Sequence, residues 1–266
     1  MSQDLLVGVE SGIATLTMNR PDSRNSLSSD MMQGLAKGLA EMAADPAVRV
    51  VVLTGTGRAF CSGGDVKRFA KLASSGGAPM SFDHRVTDLR ARMEVSRLLH
   101  EMPKPTLAVI PGPAAGAGLS LALACDMRIA ADDAKLTTAF SKVGLSGDFG
   151  GSYFLHHLVG SAAARELYFT GKVLRGDEAH KIGMVNRVVP YEQLGQAAAD
   201  YAQELASLPT IAVGYMKRNL NTAMRGNLSD VLDAEAIHMI RSFDTEDHKG
   251  AAAAFVEKRQ PVFKGR

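Results

Sequence analysis

The sequence predicts an α/β core followed by a helical subdomain. Three observations lead there. The first 150 or so residues alternate short β-rich runs with helical stretches. Two of the runs, Arg49–Thr54 and Thr106–Ile110, are near-continuous apolar segments of the kind that buried parallel strands require. Each of these is followed by a glycine-rich turn that leads into a helix, and beyond about residue 150 helical patterns dominate.

The elements follow in order. Leu5–Val9 and Ile13–Met18 read as two strands joined at Ser11-Gly12, a hairpin pattern. Leu27-Ser28-Ser29-Asp30 opens a helix of about four turns that runs to Ala44, where Asp45-Pro46 stops it. Arg49–Thr54 is a strand, and Gly55–Gly64 a glycine-punctuated loop. Residues 74–80 (SSGGAPM) read as a mobile loop. Phe82–Met102 carries apolar residues at helical spacing, and Pro103 and Pro105 end it. Thr106–Ile110 is a second buried strand, Gly116–Ala124 a helix and Met127–Ala130 a short strand. Later helices are expected over 161–169, 176–182, 191–207, 210–224, 228–243 and 246–258, with one strand at Met184–Val189. Two regions result: an α/β core over 1–200 and a C-terminal helical part over 201–266, whose tail from 210 onward is long, helical and rich in Met and Ala, consistent with a packing surface.

Composition narrows the function. The chain has 266 residues, 46% hydrophobic and 22% charged, which is enough for a sizeable core and excludes a mainly disordered protein. Thirty Lys+Arg against 28 Asp+Glu leave a formal charge of +2, so no broad attraction to nucleic acid is expected. Cys61 and Cys125 stand apart, with no zinc-like spacing, and read as small buried hydrophobes in a reducing compartment. No metal site is expected. Residues 1–10 lack the basic start and long apolar stretch of a secretory signal, which points to the cytoplasm. Pro111, Gly112 and Pro113 break the longest apolar stretch, so no membrane span is expected.

Two turns carry the chemistry. Ala59-Phe60-Cys61-Ser62-Gly63-Gly64-Asp65 follows the strand at 49–54. Pro111-Gly112-Pro113-Ala114-Ala115-Gly116-Ala117-Gly118 follows the strand at 106–110. Both place small residues where a strand becomes a helix N-terminus, whose N–H groups are unsatisfied and sit at the positive end of the helix dipole. Small side chains let a ligand approach that backbone. On neighbouring strands the two turns can aim two N–H donors at one oxygen, the geometry of an oxyanion hole. Neither turn matches a dinucleotide or P-loop pattern. Taken singly, either turn reads first as a tight connection; their joint occurrence, with the flanking sequence, favours the paired-donor reading.

The sequence resembles the crotonase family, the enoyl-CoA hydratase/isomerase superfamily. The resemblance rests on Met18-Asn19-Arg20-Pro21, Asn25-Ser26-Leu27, Arg49–Gly55, Phe60-Cys61-Ser62-Gly63-Gly64-Asp65, Gly116-Ala117-Gly118, Ala124-Cys125-Asp126 and Ala254–Arg259, in family order across essentially the whole chain. It implies a crotonase-like core of repeated ββα units, the ClpP/crotonase fold, with a C-terminal helical subdomain. It implies acyl-CoA substrates whose thioester carbonyl accepts from the N–H groups of Gly64 and Ala117, with coenzyme A part of the substrate and no permanently bound cofactor.

Family hydratases carry two glutamates that position and activate water. Here the matching positions are Ser120 and Phe140, neither of them a carboxylate, so both are retained only as pocket residues. A different carboxylate, Asp148, stands in Gly144-Leu145-Ser146-Gly147-Asp148-Phe149-Gly150-Gly151. In isomerase members an aspartate at this turn moves a proton, and in a dehalogenase branch it is the nucleophile. From local sequence alone Asp148 reads equally as a helix N-cap. Asp65 reads as a structural cap, and His156 and His157 as surface or packing residues.

For coenzyme A the resemblance points to Arg24, to the Ser62 carbonyl, and to Phe255 and Lys258 reaching across from a neighbouring subunit of a homotrimer or homohexamer. The function implied is double-bond isomerisation of an unsaturated acyl-CoA. The alternatives are a hydratase with a rebuilt water site and a non-catalytic acyl-CoA-binding member.

Overall fold

The computed structural model describes residues 3–64 and 80–266. Asp65 and residues 74–79, for which a cap and a loop are expected above, lie outside the described residues. The strands are β1 Leu5–Glu10, β2 Ile13–Met18, β3 Val50–Gly55, β4 Thr106–Ile110, β5 Ala114–Ala115, β6 Met127–Ala131, β7 Lys135–Thr137, β8 Leu174–Arg175 and β9 Arg187–Val189. The helices are α1 Ser29–Ala44, α2 Phe82–Arg92, α3 Glu94–Glu101, α4 Ala117–Ala124, α5 Gly151–Thr170, α6 Gly176–Lys181, α7 Tyr191–Ala206, α8 Thr210–Ala223, α9 Leu228–Phe243 and α10 Glu246–Val256.

Six strands form one sheet in the order β1-β2-β3-β4-β6-β9. Only the β1–β2 hairpin is antiparallel; the remaining pairs are parallel, with Ala14 opposite Val51, Val52 opposite Leu107 and Ala108 opposite Arg128. Every residue of β4 is buried, as a central parallel strand with both faces covered should be. A second, three-stranded sheet, β5-β7-β8, was not anticipated from the sequence. Its strands are two or three residues long, too short for any periodicity to show.

Several boundaries differ from expectation. The 82–102 stripe is two helices, because Met93 turns the chain between α2 and α3. The helix expected at 161–169 begins ten residues earlier, at Gly151, and passes through non-helical backbone at Gly160. A strand is present only over 187–189 of the expected 184–189.

Local chemistry accounts for the elements that carry the site. Ser28 caps α1 by accepting from the Met31 N–H at 3.0 Å, and Met31, Met32, Leu35 and Leu39 turn inward. All eight residues of α4 are buried, which its uniformly apolar sequence (AGLSLALA) permits. Its C-terminal carbonyls need donors in that dry setting. Arg128, itself only 2% exposed, supplies them, donating to the carbonyls of Ala122 at 3.4 Å, Leu123 at 3.5 Å and the C-cap Cys125 at 2.6 Å.

The C-terminal helices are fastened to the sheet by a second buried cation. Lys217 of α8 donates to the Leu99 carbonyl at 2.9 Å, the Lys104 carbonyl at 3.1 Å and the Asp126 carboxylate at 2.7 Å. Asp126 in turn accepts from the Thr106 N–H at 2.7 Å. Asn221 adds a bond to the His100 carbonyl at 2.8 Å. α9, like α2, has no fully buried residue.

Removing one partner of a buried pair strands the other. Lys217→Ala is expected to lower the unfolding free energy in urea by about 3–5 kcal/mol, with Asp126→Asn in the same chain returning part of the loss.

Candidate active site

Main-chain hydrogen bonds bring the two glycine-rich turns together. Phe60 and Cys61 donate from their backbone to the Pro113 carbonyl at 3.0 and 3.1 Å, and Ala115 N–H donates back to the Cys61 carbonyl at 2.9 Å. The approach leaves no room for side chains. A Cβ on Gly118 would lie 2.3 Å from the Cys61 oxygen. Gly63, at φ +88°, would bring a Cβ within 2.7 Å of the Ala115 oxygen and 3.4 Å of the Ala117 nitrogen.

The residue before each donor is already engaged. Leu27 N–H donates to the Gly63 carbonyl at 2.9 Å, and Gly116 N–H donates to the Thr137 carbonyl at 3.1 Å. Among the described residues no acceptor is found for the N–H of Gly64 or of Ala117. Ala117 is the first residue of α4 and its side chain is buried, so its methyl group takes nothing from the N–H.

The Asn19–Asn25 segment proves to be a brace for the first turn. Asn25 is fully buried in left-handed backbone and donates to the carbonyls of Thr56 at 3.1 Å and Ala59 at 2.8 Å. Arg24 is joined to the same turn through its carbonyl, which accepts from Ser62 N–H at 2.9 Å. Its side chain is exposed at a cleft of about 510 Å³, which Arg58 and Lys135 also line.

Asp148 lies in a turn with left-handed backbone at Gly147, Phe149 and Gly150. It does not cap α5: the N-cap is Gly150, and no side chain bonds there. Its Oδ1 is buried with no hydrogen-bond partner. Burial pushes its pKa up from 3.8 to about 6.

The wall around this turn is aromatic and small. Phe140 and Tyr168 stack with ring centroids 6.0 Å apart. Gly147 faces the Tyr168 ring, where a Cβ would come to 3.0 Å. Gly151 faces both Ser120 and Tyr168, where a Cβ would lie 2.3 Å from Oγ and 2.6 Å from Oη. Burial and the neighbouring Asp148 charge push the Tyr168 phenol up to about 12, so it keeps its proton. Ser120 is buried and its hydroxyl donates to the Gly116 carbonyl at 3.2 Å.

The fold thus gathers Ser120, Phe140 and Asp148 around one turn, and brings Gly64 up to Ala117 and Arg24 to Ser62. Phe255 and Lys258 are not drawn in. They lie at the far end of the chain, Phe255 being 86% exposed. Cys61 and Cys125 are buried free thiols, pushed by burial to about 12. His156 and His157 are exposed, with His157 set against the Tyr153 ring. Among the described residues no group of His, Cys, Asp and Glu is arranged to hold a metal, and no helix is long and apolar enough to cross a membrane.

Two residues escaped sequence reasoning. Tyr168 sits in the last turn of α5 with no motif around it. Ser96 of α3, buried, donates to the Phe149 carbonyl at 2.8 Å across 53 residues of chain. Nothing local marks either.

The two turns are held together by main-chain bonds, the N–H groups of Gly64 and Ala117 have no acceptor among the described residues, and Asp148 stands half-buried in a third turn. The enoyl-CoA hydratase/isomerase family pattern matches residues 8–266, and the chain belongs to that family. It is 37% identical over 266 residues, the full length of both chains, to the 1,2-epoxyphenylacetyl-CoA isomerase of Escherichia coli K12. It is 32% identical to the short-chain-enoyl-CoA hydratase of Clostridium acetobutylicum, covering 97% of this chain and 96% of that one. Among solved structures, the enoyl-CoA hydratase of Bacillus anthracis superposes with a TM-score of 0.91 at 31% identity, covering 99% of this chain and all of that one.

The raised Asp148 pKa has a stability consequence. The unfolded carboxyl ionises near 3.8 and the folded one near 6, so the fold loses stability as pH rises through that interval. Asp148→Asn is expected to be more stable than wild type at neutral pH by about 1–2 kcal/mol, after discounting for partial exposure. Urea unfolding across that range should show the gap closing as the pH falls.

Proposed function

We propose that the protein moves a double bond in an unsaturated acyl-CoA, with Asp148 as the single acid/base. The observation that carries this reading is the lone, partly buried carboxylate with an unpartnered oxygen, in a site where Ser120 and Phe140 stand at the two positions that family hydratases fill with glutamates. One carboxylate can take a proton from one carbon and return it to another. Activating and adding water more often calls for two groups.

In this reading the thioester oxygen accepts from the N–H groups of Gly64 and Ala117. When the Asp148 carboxylate removes a proton from the acyl chain, the electron pair of the broken C–H bond is delocalised onto that oxygen, and the two donors stabilise the enolate. The new carboxylic acid then protonates a carbon further along the chain. The double bond shifts, nothing is added or lost, and Asp148 is restored. A pKa of about 6 leaves it ionised at neutral pH yet a competent acid once protonated.

Coenzyme A is held, in the same proposal, at the edge of the first turn. Arg24 offers a cation for its phosphates and the Ser62 carbonyl an acceptor for the adenine amino group. Phe255 and Lys258 complete the site from a neighbouring copy in a homotrimer or homohexamer. Supporting assembly, α9 exposes Leu228, Leu232, Ile237, Met239 and Ile240, each more than half accessible. The two buried free cysteines accord with a cytoplasmic setting.

The test is turnover of trans-3-hexenoyl-CoA and of crotonyl-CoA by wild type and Asp148→Asn. Wild type should isomerise the first substrate, with kcat/KM rising through pH 6 as Asp148 ionises. The variant should lose at least about 10³-fold in kcat while KM changes little. Rapid hydration of crotonyl-CoA that is indifferent to the substitution would overturn the proposal.

The oxyanion donors can be tested separately. Proline is tolerated at the first position of a helix but carries no N–H. Ala117→Pro should therefore keep the fold, checked by circular dichroism, and lose about 10²–10³-fold in kcat.

A further inference from the structure

The carboxylate of Asp148 has no partner on Oδ1, so its aim depends on the backbone that carries it. That backbone is unusual. Gly147, Phe149 and Gly150 all have positive φ, at 108°, 51° and 74°, and Phe149 is not a glycine. A phenylalanine stays left-handed only where its surroundings hold it there. Its ring is buried, 4% exposed, and its carbonyl accepts a bond from outside the turn.

The donor is Ser96. Its hydroxyl lies 2.8 Å from the Phe149 oxygen, and the residue is 5% exposed, so water does not compete for the bond. Within the turn itself, Gly151 N–H donates to the Asp148 carbonyl at 3.2 Å. Among the described residues, Ser96 is the hydrogen-bonding side chain that ties the Asp148–Phe149 segment to another element.

Ser96 is a firm anchor because α3 is held at its far end. The Leu99 carbonyl accepts from both Lys217 and Thr106, and the His100 carbonyl accepts from Asn221. A continuous set of bonds therefore runs from α8 through α3 to the turn that presents Asp148.

We infer that Ser96 is a positioning residue for the reaction: its hydroxyl, by holding the Phe149 carbonyl, keeps the turn in the left-handed form that aims the Asp148 carboxylate at the substrate carbon. This rests on the reading of Asp148 as the acid/base. Displacing a reacting group by about an ångström can cost of the order of 10²-fold in rate.

The experiment compares wild type, Ser96→Ala, Ser96→Thr, Asp148→Asn and the Ser96→Ala/Asp148→Asn double variant on trans-3-hexenoyl-CoA, using the purified assembled protein. Ser96→Ala should lower kcat by about 10–100-fold, leave KM within about threefold and displace the ascending limb of the pH profile. Ser96→Thr, which keeps the hydroxyl, should restore most of the rate. Ser96→Ala should also speed deuterium uptake at the Gly151 amide, leaving α4 unchanged. Added to Asp148→Asn, it should cause no further loss, because it acts through that carboxylate.

Should Ser96→Ala prove too unstable to assay, Ser96→Cys keeps the side-chain size with a weaker donor, and the same intermediate loss of kcat is expected. Full kcat in the folded alanine or cysteine variant, while Asp148→Asn is inactive, would overturn the inference and leave Asp148 standing. So would losses that multiply in the double variant, or a change confined to thermal stability. Unimpaired Asp148→Asn would instead overturn the acid/base reading beneath it.

Discussion

The site depends on the main-chain pairing of two turns, residues 60–61 with 113–115. Each turn follows a parallel strand and leaves one N–H, of Gly64 or of Ala117, without an acceptor among the described residues, so one turn alone would offer a single donor. Three short bonds between Phe60, Cys61, Pro113 and Ala115 lock the turns edge to edge. The approach is possible only because Gly63 and Gly118 have no side chain, since at either a Cβ would strike backbone. Asn25 adds a brace from the far side, holding the loop through the Thr56 and Ala59 carbonyls. Much of the sequence pattern shared with the family therefore answers to backbone geometry rather than to side-chain chemistry.

Against that rigid frame the carboxylate is held under tension. Asp148 does not cap α5, and among the described residues it joins no ion pair and one of its oxygens is buried with no hydrogen-bond partner. An unpaired buried polar atom costs stability, and here the cost shows as a carboxyl group reluctant to ionise. The positive φ of Phe149 adds backbone strain in the same turn. Such features cluster where a protein does chemistry and are sustained by the structure around them. In this chain that support comes from the buried Phe149 ring, the Phe140–Tyr168 stack and α3.

The C-terminal helices take part in this support. Lys217 and Asn221 bind carbonyls at the end of α3, and Asp126 ties Lys217 to the central strand β4. The same region leaves the apolar residues of α9 uncovered. α9 has no fully buried residue and packs on α8 through His238, which stacks on Tyr215, so α8 stands between the interior of the protein and an exposed apolar surface.

By itself the sequence determined the α/β class, the central parallel strands, the two glycine turns and the candidate carboxylate. These are carried by local periodicity, by turn chemistry and by motifs contiguous in the chain. That Arg49–Thr54 and Thr106–Ile110 are buried strands was legible in their near-continuous apolar runs, whereas their pairing, Val52 opposite Leu107, came only with the structure. Tertiary structure alone decided the rest. It chose between cap and free carboxylate for Asp148, a matter of where one side chain points relative to α5. It made two helices of the 82–102 stripe, although the apolar spacing continues across the break. It formed the short β5-β7-β8 sheet, whose strands have no period to read. And it brought Ser96 and Tyr168 to the Asp148 turn, because hydrogen bonds and ring contacts between residues far apart in the chain depend on the packing of whole helices and leave no local pattern behind.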